Sequence, residues 1–107
     1  MPERIGFGIE AAHHLPCVPQ GHQCRRLHGH SYRIEVGAEK LDTLEQRLWD
    51  IYDQLDHTDL NEIDGLENPT SEHLSRWIWD CLRTGGTQPT VVAIQETCTA
   101  GCVYRGE

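Results

Sequence analysis

Apolar positions recur at every second residue along the early part of this chain and at every third or fourth residue further on, and that change of period sets the expected elements. In Ile5-Gly6-Phe7-Gly8-Ile9-Glu10-Ala11-Ala12-His13-His14, a period of two puts Phe7, Ile9, Ala11 and His13 on one face of a strand. Ser31-Tyr32-Arg33-Ile34-Glu35-Val36 reads as a second strand, with Tyr32, Ile34 and Val36 on one face and Ser31, Arg33 and Glu35 on the other. From Leu41 the spacing of Leu44, Leu48, Ile51, Tyr52 and Leu55 marks a helix that ends near Leu55, with Asp42 and Glu45 as a capping pair. Asn68-Pro69-Thr70-Ser71-Glu72 opens a second helix with Thr70 as N-cap; Leu74, Trp77, Ile78, Cys81 and Leu82 form its buried stripe, and Gly85-Gly86 stops it. Thr90 to Thr97 is a strand, and Cys98 to Tyr104 is its hairpin partner across a turn near Ala100-Gly101.

The connections add two expectations. Leu15-Pro16-Cys17-Val18-Pro19-Gln20-Gly21 is a loop by its prolines and glycine, so the first two strands should pair as a hairpin with a long connection. Asp56-His57-Thr58-Asp59-Leu60-Asn61 is an irregular stretch whose polar side chains are available to a site, and Asp64-Gly65 is a further turn. The 107 residues form one domain, 1–107, small enough that oligomerisation would help bury its apolar surface.

Nine basic against seventeen acidic residues give a formal charge of −8, which opposes unaided binding to nucleic acid or an anionic membrane. No apolar run approaches the roughly 20 residues of a membrane helix and no signal peptide opens the chain, so a soluble, cytoplasmic protein is expected. Five cysteines are an odd number without a secretory signal, so no disulfide framework is read and at least one thiol is free.

The candidate chemistry sits in Gly21-His22-Gln23-Cys24-Arg25-Arg26-Leu27-His28-Gly29-His30. If strand pairing starts at His28, then His28 and His30 continue the apolar face of Tyr32 and Ile34, and the hairpin brings His13 towards them. Three neutral imidazoles with an open fourth position are the donor set of a catalytic zinc. Cys24 has Arg25 and Arg26 beside it, and positive charge lowers the pKa of a thiol from ~8.5 towards the thiolate. Asp56 next to His57 could orient the imidazole and stabilise its protonated form. In the last long strand Glu96 shares the phase of Val92 and Ile94; it is either a surface group at the strand end or a buried carboxylate that needs a cationic or hydrogen-bonding partner.

Taken in order, Glu10-Ala11-Ala12-His13, Cys24-x-x-x-His28-Gly29-His30, Leu55-Asp56-His57, Asn68-Pro69-Thr70-Ser71-Glu72 and Glu96-Thr97-Cys98-Thr99-Ala100-Gly101-Cys102 closely resemble the 6-pyruvoyl-tetrahydropterin synthase superfamily, and within it the branch of queuosine synthesis. The resemblance implies an α+β tunnelling fold, an antiparallel sheet with two helices on one face, assembled as a homo-oligomer with sites at subunit interfaces. It implies a zinc-dependent lyase that converts 7,8-dihydroneopterin triphosphate to 6-carboxy-5,6,7,8-tetrahydropterin and releases acetaldehyde and triphosphate. By position His13, His28 and His30 would bind Zn2+, and Cys24 would abstract a proton. Asp56 with His57 would be the second acid/base group, Glu96 would anchor the pterin and join the proton relay, and Thr70 and Ser71 would help hold it. The same fold running the 6-pyruvoyl reaction or sepiapterin side-chain cleavage, and a non-catalytic zinc-binding module, stand as alternatives. One departure is visible: only Gly37-Ala38-Glu39-Lys40 separates Val36 from Leu41 where the family usually has a further strand, and four residues span at most ~14 Å, which is either a deletion that leaves a narrower sheet or a mobile loop absent from the sequence as given.

Overall fold

A computed structural model describes residues 4–13, 28–40, 43–96 and 101–106, with the backbone alone at His13, His28, Gly29, His30, Gly101 and Cys102. Its first two strands, β1 (Arg4–His13) and β2 (His28–Ala38), pair antiparallel from Arg4 opposite Gly37 to His13 opposite His28. The chain then forms α1 (Leu44–Leu55), a short 3-10 turn (Leu60–Glu62) and α2 (Ser71–Thr84) before β3 (Pro89–Glu96) and β4 (Gly101–Tyr104) complete a sheet of order β1-β2-β3-β4. β3 runs antiparallel to β2, with Tyr32 opposite Glu96 and Val36 opposite Val92, and β4 pairs antiparallel with β3.

The alternation read from the sequence is what divides the sheet into two faces. Ile9, Ala11, Tyr32, Ile34, Val36, Val92 and Ile94 are buried, while Glu10, Arg33 and Gln95 between them are exposed. Leu44, Leu48, Ile51 and Leu55 from α1 and Leu74, Ile78 and Leu82 from α2 join the same apolar cluster, so both helices cover one face of the sheet. Leu60 and Leu66 fill the space under the connection between them. This is the expected α+β arrangement.

The differences have local causes. The helix expected from Leu41 begins at Leu44; its N-cap, Thr43, makes no side-chain capping bond, and Leu41 and Asp42 lie outside the described residues. At α2 the expected cap is present, with the Thr70 hydroxyl accepting from the His73 N–H at 3.2 Å. The buried stripe of α2 is turned from the expected one because the helix also packs against β4: Ser75 and Trp79 are buried, whereas Trp77 and Cys81 are only half-buried. Trp79, only 9% exposed, sits edge-on to Tyr104 with ring centroids 5.2 Å apart. A Cβ at Gly106, whose φ is +83°, would come within 2.6 Å of the Trp79 ring, so the tail crosses the indole where only glycine fits. Trp77 is half-buried and donates its Nε1 proton to the Asp64 carbonyl at 3.2 Å. Between β2 and α1 the described residues contain no further strand, and the Glu39 N–H bonds instead to the Gln88 carbonyl at 3.1 Å.

Ile78 is fully buried in the middle of α2. Ile78→Ala is expected to destabilise the protein by about 2–5 kcal/mol, read as a lower midpoint of urea unfolding at unchanged slope.

Candidate active site

One end of the sheet holds the positions of His13, His28 and His30, together with Glu96 and the Asp56-His57 pair. His13 lies directly opposite His28, and His30 lies opposite Ala11 two positions along β2. All three occupy the phase of Ile9 and Tyr32, the helix-covered face of the sheet. Directly paired residues on one face have Cβ atoms roughly 5 Å apart, and i, i+2 neighbours on a strand are roughly 7 Å apart. Three imidazole-bearing positions within that reach, with no charged donor among them, fit the three-nitrogen set of a catalytic zinc. Cys24 lies outside the described residues. Among the described side chains no other group of three His, Cys, Asp or Glu is gathered for a metal.

Glu96 closes β3 at this same end, paired with Tyr32 and therefore two positions along β2 from His30. It is half-buried, and among the described residues its hydrogen-bond partner is Ser71, whose Oγ donates to Oε1 at 2.8 Å. Ser71 is the first residue of α2 and only 5% exposed. The phenol of Tyr32, 2% exposed, is pushed far above its ordinary range by burial and then by the Glu96 charge, so it stays neutral. Thr70 and Ser71 thus part company: the Thr70 hydroxyl stays with its own helix, accepting from the His73 N–H and lying 2.7 Å from His73 Nδ1, while the Ser71 hydroxyl reaches across to β3.

Asp56 and His57 are brought to the outer edge of β1. Asp56 leaves α1 in an extended conformation and His57 takes a left-handed one, φ 58°, which turns the chain alongside the strand. The His57 N–H then donates to the Glu10 carbonyl at 2.5 Å, the Ala12 N–H donates to the Thr58 carbonyl at 2.9 Å, and Ala12 forms a parallel bridge with Asp59. Asp56 Oδ1 accepts the Glu10 N–H at 2.9 Å, and Oδ2 lies 2.6 Å from His57 Nδ1. The Glu10 N–H is the main cause that holds the Asp56 carboxyl below its usual range; burial opposes it, and His57 and the Tyr52 phenol add to it. An ionised Asp56 can only accept, so it assigns the proton of a neutral His57 to Nδ1 and leaves Nε2 as the free nitrogen. That ring is 77% exposed and opens on a cleft of about 490 Å³ lined also by Glu10, Ala12, Ser31, Thr58 and Asp59.

Glu10 was not singled out from the sequence as a site residue. Its carboxylate oxygens lie 2.7 and 2.8 Å from Ser31 Oγ, its register partner on the polar face of the hairpin. Its backbone holds the Asp56-His57 pair from both sides. The available signal was its place opposite Ser31 in the predicted hairpin; the return of residues 56–59 to β1 has no counterpart in the hydrophobic pattern.

Known proteins share both the sequence and the fold. Residues 4–107 match the sequence profile of 6-pyruvoyl tetrahydropterin synthase. The chain is 37% identical over 115 residues to a protein of Synechocystis named 6-carboxy-5,6,7,8-tetrahydropterin synthase, covering 92% of this chain and 88% of the relative. It is 34% identical over 117 residues to a protein of the same name from Bacillus subtilis, covering 91% and 80%. In three dimensions it superposes on the 6-pyruvoyl tetrahydropterin synthase of Caenorhabditis elegans with a TM-score of 0.84 at 19% identity, covering 100% of this chain and 96% of the other. A Wolinella succinogenes protein of uncharacterised function matches with a TM-score of 0.68 at 15% identity, covering 100% and 99%. The strand register, the helical layer and these relatives converge: the chain belongs to the 6-pyruvoyl tetrahydropterin synthase family.

Proposed function

We propose that this protein is a zinc-dependent carbon–carbon lyase that converts 7,8-dihydroneopterin triphosphate to 6-carboxy-5,6,7,8-tetrahydropterin, with release of acetaldehyde and triphosphate, in queuosine synthesis. The observation that carries this reading is the convergence, at one end of the sheet, of three histidine positions, the Ser71-bound Glu96 carboxylate and the Asp56-His57 pair. The names of the Synechocystis and Bacillus relatives support the 6-carboxy product over the 6-pyruvoyl one. No helix among the described residues is long and apolar enough to cross a membrane.

In this reading His13, His28 and His30 hold the metal. Zinc, when bound, supplies Lewis acidity that stabilises negative charge developing on the substrate's side-chain oxygens. Glu96 receives the amino-pyrimidine edge of the pterin, whose two N–H groups face a carboxylate, and so places the side chain over the histidines. Cys24, as a thiolate, takes a weakly acidic proton next to the ring. His57 Nε2 gives and takes a proton on the other side, with Asp56 fixing its tautomer and stabilising its cation. Glu96 also takes part in moving that proton. The His57 ring lies open to a cleft that the described residues do not enclose, and β1 and β4 are the two edges of the described sheet, both of which suit a homo-oligomer with sites between subunits.

The deciding experiment is turnover of dihydroneopterin triphosphate by protein of measured metal content. One zinc per chain and a product that has lost two side-chain carbons are expected. A product that keeps all three carbons would replace this reading with the 6-pyruvoyl reaction.

His28→Ala is expected to lose zinc and activity together and still unfold cooperatively, because the core at Leu44, Leu48 and Ile94 does not use the metal. Loss of the cooperative transition would mean a structural zinc module. Cys24→Ala should keep its zinc and stop turning over; disappearance of the metal with the thiol would make Cys24 a ligand instead of a base. Asp56→Asn, which no longer dictates the His57 tautomer, should lower kcat about a hundredfold or more at unchanged zinc content, and a kcat close to wild type would remove the pair from the mechanism.

A further inference from the structure

The hydroxyl of Ser71 has no capping role to perform. Thr70 is the N-cap of α2 and already accepts from the His73 N–H. Ser71 follows it, 5% exposed, and spends its proton on a residue 25 positions away. Both ends of that bond are anchored in the core. α2 is held by Leu74 and Ile78, fully buried one and two turns on, and the backbone of Glu96 is held by its pairing with Tyr32 beside the buried Ile94. A glutamate at a strand end otherwise carries rotamer freedom that a ligand would have to remove on binding.

We propose that Ser71 is a positioning residue that presets the Glu96 carboxylate for a ligand edge with two parallel N–H donors, and does not itself bind the ligand. This rests on Glu96 being the pterin anchor. The serine proton occupies one lone pair of Oε1, which leaves the second lone pair of Oε1 and both of Oε2, and Oε2 has no hydrogen-bond partner among the described residues. Two acceptor sites side by side in one fixed plane are what an amino-pyrimidine or guanidine edge requires. Specificity for a two-donor edge over a single donor then depends on the plane of the carboxylate, and Ser71 sets that plane.

The test is a double-variant cycle on zinc-loaded protein, titrated with a non-reactive pterin. Ser71→Ala is expected to weaken binding about five- to tenfold, the effect of one hydrogen bond, and to raise KM with little change in kcat. The double variant Ser71→Ala with Glu96→Gln should bind like Glu96→Gln alone, and Ser71→Thr, which keeps the hydroxyl, should stay within about twofold of wild type. If Glu96→Gln weakens binding but Ser71→Ala does not, or if the two effects simply add, Ser71 is not positioning Glu96 while the anchor stands. If Glu96→Gln leaves affinity unchanged, the anchor itself is wrong. Should Ser71→Ala fail to unfold cooperatively, the isosteric pair Ser71→Thr and Ser71→Val carries the comparison: weaker binding by the valine variant is expected, and equal binding overturns the role.

Discussion

Everything at this site hangs on the register between β1 and β2. Ten consecutive residue pairs, from Arg4 with Gly37 to His13 with His28, are fixed by which side chains must face the helices. A slip of one residue would turn Ile9 and Ala11, or Tyr32, Ile34 and Val36, out to water. At about 1.5–3 kcal/mol for each large apolar side chain, that penalty exceeds anything that a few polar contacts at the strand ends could repay. The histidine positions are therefore set by hydrophobic burial well away from the chemistry. They are the last members of the core phase, at the end where the apolar face runs out.

The Asp56-His57 pair is held on different terms. Residues 56–59 attach to the β1 edge through backbone hydrogen bonds and the Asp56 carboxylate, with His57 in a left-handed conformation that a non-glycine residue adopts at some cost. The depressed Asp56 pKa states the same fact in terms of protons. The Glu10 N–H stabilises the charged form, so this attachment is complete above the carboxyl's ordinary pKa and is lost as pH falls through the lowered one. Along one strand, apolar packing fixes the histidine positions, while the main chain at Glu10, three residues before His13, fixes the Asp56-His57 pair.

The strands and helices were legible because one face of each is buried, and burial writes a period into the sequence. The Thr70 cap and the in-phase Glu96 could be read for the same reason, each being a local exception to a regular pattern. The docking of residues 56–59 could not, since main-chain hydrogen bonds place no demand on side-chain type. Nor could the bond from the Ser71 hydroxyl to Glu96, since a serine in the first turn of a helix carries no sign of a partner 25 residues away on a strand. The burial of Trp79 was hidden because it depends on packing against β4 and the tail, which the period of α2 alone does not show.

The short link between β2 and α1 shows how the same register separates what this chain lacks from what it needs. The family resemblance leads one to expect a further strand after Val36, and β2 instead ends at Ala38 with α1 starting at Leu44. In an antiparallel pair the two ends of a strand are as far apart as its length: from His28 to Gly37 is nine residues, roughly 30 Å of extended chain. The short link therefore lies at the end of the sheet away from the histidines. Glu96, Ser71 and the Asp56-His57 pair all lie at the histidine end. A sheet can be trimmed at one end without moving the other because each register position is held by its own cross-strand partner and its own side chains in the core.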